Sequence, residues 1–270
     1  MKSLPKFLCG GIGAGDWPQM DAKKFAKVLF ESRCNNCVLE VVAPAYAKTE
    51  SGYNDKTLAQ MYGELKNFIK PILALDDLWV TLHLTNGNDG MISRYGAENI
   101  CREIVDKLIS DFNGKNIIIC PVAETDHESN EQYLVNYCIN EWGGRGNNLI
   151  FNGGGRPNAI VAGYSLLDYH TQSGNDVGPS VGVTTLVDSD NGPIINWLKA
   201  GAPAGKYWNQ DRVFDFGMRC KSKGNSLNLY GYQTTSMEKD ALNVLGKLYA
   251  VRKKPSFFDN LIATIKLLFI

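Results

Sequence analysis

The chain has 270 residues, and its 28 Lys and Arg balance 28 Asp and Glu to a formal net charge of zero. With 44% hydrophobic and 21% charged residues, it has a globular composition. That excludes intrinsic disorder and gives no support to electrostatic nucleic-acid binding. The length suits one large α/β barrel or two medium domains.

Short β-rich runs alternate with helical patterns from the start. Residues 7–12 read as a first strand, too short and interrupted for a secretory h-region. A helix over 21–32 follows, with Asp21 as N-cap. The second strand is 37–43, closed by Pro44, and the second helix covers about 58–75. The third strand, 79–84, ends in the turn cluster Asn86-Gly87-Asn88-Asp89-Gly90. The third helix, 97–112, carries Ile100, Ile104, Leu108 and Phe112 on one face.

The fourth strand is 117–123 and its helix 130–142. The fifth strand, 149–152, is closed by Gly153-Gly154-Gly155. The sixth, 165–169, follows a connection with little helix. The seventh is 181–187, followed by helical stretches at 193–198 and about 210–223. The eighth is 226–232, and the last barrel helix covers 239–251. Eight strands, several of them continuous apolar runs, predict a closed (β/α)₈ TIM barrel over 1–254. Residues 255–270 form an apolar tail, charged only at Asp259 and Lys266, that suits a docked helix, a partner contact or a membrane-surface anchor. No internal segment reaches membrane-spanning length.

Two motifs carry weaker chemistry. Gly10-Gly11-Ile12-Gly13-Ala14-Gly15 resembles a dinucleotide fingerprint, but Asp16-Trp17-Pro18 intervenes before any helix. Cys34-Asn-Asn-Cys37 has metal-ligand spacing but lacks a second pair and a nearby His. Seven cysteines cannot all pair within one chain, and those inside apolar runs read as buried thiols of a reducing compartment. No cofactor is expected.

Barrel chemistry sits at the C-terminal ends of strands. All three histidines fall there: His83, His127 and His170. So do Glu124, Asp168, Asp188 and Asp190. Asp168 and His170 share a strand face. For Asp190 a turn role before Asn191-Gly192 is equally open, and for Asp188 an N-cap or a buried ion pair. Glu40, inside the second strand, needs a partner: it is either half of a structural pair or a site-floor carboxylate. Around the same mouth lie Trp17, Tyr46, Asn86, Asn88, Asn152, Arg156, Gln172, Tyr230, Tyr232 and Gln233. Aromatic faces beside amides and carboxylates suit a sugar; Trp17 and Tyr230 also fit a core role.

On these residues the chain resembles the retaining (β/α)₈-barrel glycoside hydrolase superfamily of cellulase and mannanase type. Pro121-Val-Ala-Glu124 resembles its strand-4 acid/base segment. Asp168-Tyr-His170 resembles its strand-6 segment, and Asp188-Ser-Asp190-Asn-Gly192 stands where its nucleophile segment belongs. The resemblance implies cleavage of a poly- or oligosaccharide, with Glu124 as acid/base, Asp188 or Asp190 as nucleophile, and Trp17, Glu40, His83, Asn86, Asn152, Asp168, His170, Tyr230 and Tyr232 binding substrate. Two departures stand out: Ala123 replaces the Asn that binds the 2-hydroxyl, and the strand-7 carboxylate is Asp rather than Glu.

One alternative is an inactive barrel that binds glycan or protein within an assembly such as a phage particle, docked through its tail. With no export signal seen, the expected setting is cytoplasmic, released or virion-associated. A metal-dependent hydrolase using His83, His170, Glu124 and Asp168 or Asp188 is the third reading, weakened by the lack of an H-x-H pair on the first strand.

Overall fold

A computed structural model of the chain describes residues 3–11, 17–43, 56–87, 90–123, 129–152, 163–171, 173–180, 184–189, 192–204, 208–229 and 238–270. Seven parallel strands lie side by side in chain order. They are β1 (Asn36–Glu40), β2 (Trp79–His83), β3 (Ile117–Cys120), β4 (Asn148–Phe151), β5 (Leu166–His170), β6 (Thr184–Asp188) and β7 (Ser226–Asn228).

The gap between β7 and β1 is closed by residues 7–11. Gly10 forms parallel bridges to both Asn36 and Asn228. Its carbonyl accepts from Leu229 N–H at 2.8 Å, and the Cys9 carbonyl accepts from Asn35 and Asn36 N–H at 3.0 and 3.1 Å. Side chains supply what a regular ladder would. Cys9 N–H donates to Asn35 Oδ1 at 2.8 Å, and Leu8 N–H donates to Ser226 Oγ at 2.9 Å. The expected first strand is therefore in place, but laced in by side chains rather than paired as regular β-structure. Gly10 is required there: a Cβ would stand 1.8 Å from the Asn36 carbonyl oxygen. The glycines that resembled a nucleotide loop thus begin as a barrel seam, while Gly13 and Gly15 lie outside the described residues.

Helices follow the strands. The first two are α1 (Ala22–Glu31) and α2 (Leu58–Leu73). Asp21 caps α1 by accepting from Lys24 N–H, and Thr57 with Gln60 forms a capping box on α2. A short helix not expected from periodicity, α3 (Met91–Tyr95), precedes α4 (Ala97–Ile100) and α5 (Asp106–Phe112). The single helix expected over 97–112 is instead interrupted by a π-turn, Cys101–Val105, in which Asp106 N–H reaches the Cys101 carbonyl. A second π-turn, Cys138–Trp142, extends α6 (Ser129–Tyr137). Such turns admit one extra residue without leaving the helix, and 3.6-residue periodicity does not foretell them. The remaining helices are α7 (Gly192–Lys199), α8 (Gln210–Ser222), α9 (Glu238–Tyr249) and α10 (Phe257–Leu268).

Strand side chains alternate between two apolar sets, as the two-residue period requires. Leu39, Val80, Leu82, Ile117, Ile119, Leu149, Val187 and Leu227 join the large core beneath the helices. Leu8, Val38, Trp79, Ile118, Cys120, Ile150, Leu166 and Leu186 form a separate cluster filling the barrel. Continuous apolar strands are the consequence, because both faces are covered. All seven cysteines are buried and free. Cys34 donates to the Leu242 carbonyl, and burial pushes the Cys37 thiol well above its ordinary value. These are packing residues.

Candidate active site

The same alternation decides what points into the barrel near the C-terminal ends of its strands. On β1 the interior parity of Val38 continues to Glu40. On β2 it runs through Thr81 to His83, and on β5 from Leu166 to Asp168. The register aligns Glu40 with His83 and His83 with Cys120. It also aligns His170 with Asp188, and Asp188 with Asn228. Thus Glu40, His83 and Asp168 stand at the C-terminal ends of their strands, at one end of the barrel.

Three of them meet. His83 Nε2 lies 3.1 Å from Asp168 Oδ2, although the strands that carry them are separated by β3 and β4. The contact therefore spans the interior. The two atoms are close but not aligned as a hydrogen bond. Asn152, just past β4, donates from Nδ2 to the same carboxylate oxygen at 2.9 Å. His83, Asn152 and Asp168 are all buried. A buried carboxylate needs this kind of compensation. Its charge reaches Cys120, whose thiol is raised well above its ordinary value first by burial and then by Asp168.

Glu40 ends β1 and is half-buried. Its backbone carbonyl accepts the Trp17 indole N–H at 2.8 Å. Trp17 itself is 1% exposed and packs on Phe68 with ring centroids 5.3 Å apart. The structure thus places Trp17 in the core, anchoring the end of β1. Asn86 is half-buried and bridges Ala123, which lies in the interior apolar cluster.

Asp188 and His170 close their strands, and the description there extends to backbone alone. Glu124, Asp190, His127, Tyr230 and Tyr232 lie outside the described residues, as do Tyr46, Asn88, Arg156, Gln172 and Gln233. Glu124 directly follows Ala123, whose N–H donates to the Thr85 carbonyl at 2.8 Å.

One residue escaped the sequence reading. Asn228 is fully buried, stands in register with Asp188, and has neither side-chain amide atom paired. Its signal was position: Asn228 lies within the expected eighth strand, 226–232, in which Tyr230 and Tyr232 were singled out without it. Among the described residues, no group of three or more His, Cys, Asp or Glu is disposed to hold a metal ion.

Strands in sequential parallel order, closed through residues 7–11 and covered by helices, define the (β/α) barrel class. Within it the fold is shared with family 5 glycoside hydrolases. It matches a family 5 enzyme from Prevotella bryantii, solved as a mutant with a xyloglucan tetradecasaccharide, at TM-score 0.56 and 8% identity, covering 92% of this chain and 99% of that one. It matches a broad-specificity endoglucanase from an uncultured bacterium at TM-score 0.58 and 12% identity, covering 90% and 94%. The cellulose synthase subunit Z of Clostridioides difficile matches at TM-score 0.51 and 12% identity, covering 88% and 99%. No family model and no curated protein matches the sequence.

Proposed function

We propose that the chain cleaves a glycosidic bond in a poly- or oligosaccharide, with Glu124 as acid/base and Asp188 as nucleophile. Asp190 is the alternative nucleophile. The observation that carries this reading is the convergence of buried His83, Asn152 and Asp168 across the barrel at the C-terminal ends of its strands. Polar burial costs stability unless each group is paired, and a fold that carries this cost at strand ends does so at functional sites. The family 5 neighbours support the same chemistry by fold analogy.

In this reading Glu124 protonates the leaving oxygen while the Asp188 carboxylate attacks the anomeric carbon. Water then hydrolyses the glycosyl–enzyme ester, with Glu124 taking its proton. His83 and Asp168 hold the floor beneath the sugar. Glu40, Asn152, His170, Tyr230 and Tyr232 line the subsites, and Trp17 supports them from the core. Asn86 takes the role of the amide missing at Ala123: the two positions are bridged, and the Ala123 methyl is buried in the apolar cluster. Residues 1–254 act as the catalytic unit, with 255–270 as an appendage.

The test is incubation with xyloglucan, lichenan, carboxymethyl-cellulose and mannan, scoring new reducing ends. It is paired with mass spectrometry after an activated 2-deoxy-2-fluoro glycoside. The reading expects new reducing ends on at least one polymer and a glycosyl adduct on the peptide carrying Asp188 and Asp190. Glycan binding without cleavage on every polymer would favour an inactive barrel, a reading that Ala123 and the shorter Asp188 favour.

A further inference from the structure

The last helix is turned inside out. A capping box, Ser256 with Asp259, starts α10. Its inner face is modest: Ala263 and Leu267 are buried, with Asn260 and Thr264 half-buried beside them. The large apolar side chains face outward instead. Phe257, Phe258, Leu261, Ile262, Ile265, Leu268 and Phe269 are 45–87% exposed. At about 100° per residue they occupy one arc of roughly 140° that contains no charge. An exposed apolar patch of this extent is an interaction surface.

The surroundings say what it meets. Lys253 and Lys254, both exposed, precede the helix. At its other end Phe269 and Ile270 line shallow hollows shared with Lys23, Lys70 and Lys115, also exposed. None of these five lysines makes an ion pair among the described residues. Among the neighbouring acids, Asp76 pairs with Lys266 at 2.8 Å and Asp111 with Lys66 at 2.7 Å, Asp77 acts on Arg252, and Asp21 and Asp259 cap helices while keeping their charge. A chain of zero net charge therefore presents cations at both ends of an apolar stripe.

We infer that α10 docks the protein onto an anionic lipid surface, lying in the interfacial plane with Phe257, Phe258, Leu261, Ile262, Ile265, Leu268 and Phe269 among the acyl chains. Ala263 and Leu267 are buried against the body of the protein, so one face of the helix alone is free to meet lipid. No helix among the described residues is long and apolar enough to cross a membrane. The helix lies on the bilayer, and the lysines at its ends meet lipid phosphates.

The experiment is co-sedimentation of the full chain with vesicles of phosphatidylcholine alone, or with one-third phosphatidylglycerol, against a vesicle-free control. Binding to the anionic vesicles is expected to exceed binding to neutral ones by at least about tenfold and to weaken with salt. The variant F258D/I262D changes only exposed positions and is expected to abolish binding with the melting temperature unchanged. K253E/K254E is expected to weaken it by roughly thirtyfold or more. Failure to sediment with either vesicle overturns the proposal. So does binding that F258D/I262D leaves intact. A dimer in solution that F258D/I262D converts to monomer, without vesicle binding, would assign the face to a second copy instead.

Discussion

The barrel interior holds two layers that are equally buried and physically opposite. Below, Leu8, Val38, Ile118, Ile150, Leu166 and Leu186 are 0% exposed and touch one another as hydrocarbon. Above, Asp168 is just as buried, but it is held by a histidine from across the barrel and an amide from the neighbouring strand. The lower layer stabilises the fold by dispersion and exclusion of water. The upper layer needs each polar group matched, and Asn228 shows an amide left unmatched. Burial alone therefore does not separate support from function in this molecule. Unmatched polar atoms alone do not either, since Asn36 Nδ2 and Ser32 Oγ are unmatched far from the C-terminal strand ends. Position at those ends together with convergence across the barrel does.

Substitutions can break this contrast in graded ways. The largest effect is expected at the seam that makes the interior an interior. Gly10→Val would drive side-chain atoms into the Asn36 carbonyl, and a loss above about 4 kcal/mol is expected, read as absent or strongly lowered cooperative melting by circular dichroism. In the lower layer, Leu166→Ala should cost about 2–5 kcal/mol in denaturant titration, with the site's chemistry kept in whatever remains folded.

In the upper layer, Asp168→Asn keeps the shape and an acceptor for Asn152 but removes the charge facing His83. A stability change of about 1–3 kcal/mol is expected, with turnover falling more than substrate affinity. A pure packing role for Asp168 would leave turnover unchanged. The smallest effect belongs to the outer ring. Lys66 first, then Tyr62, holds the Asp111 carboxyl below its usual range. A depressed folded pKa contributes stability above the ordinary carboxylate range and loses it as pH falls through the folded value. Asp111→Asn should therefore destabilise by at most about 1 kcal/mol at neutral pH, with the difference vanishing in acid.

Much of this was legible in the sequence, for physical reasons. Continuous apolar runs and 3.6-residue patterns gave the strands and helices because both faces of the sheet are covered. The caps at Asp21 and Thr57 left composition signals, although only the first was singled out. The expected first strand pairs with both neighbours only through Gly10 and its flanking backbone bonds. The Asn35 and Ser226 side chains that supplement them were not legible, because no local pattern encodes a contact over 218 residues. The π-turns at Cys101–Val105 and Cys138–Trp142 are likewise set by packing rather than periodicity. At the site, strand-end position flagged His83, Asn152 and Asp168, but their convergence is tertiary. Trp17 shows the converse, an aromatic near the mouth that packs inward.

The most direct measurement is turnover and melting temperature of Glu124→Gln beside the unaltered chain, on the polysaccharide it cleaves fastest. Loss of about three orders of magnitude or more in turnover, with melting unchanged, is the predicted result. Cleavage that persists in a folded Glu124→Gln protein would contradict the assignment of catalysis to this end of the barrel through that carboxyl.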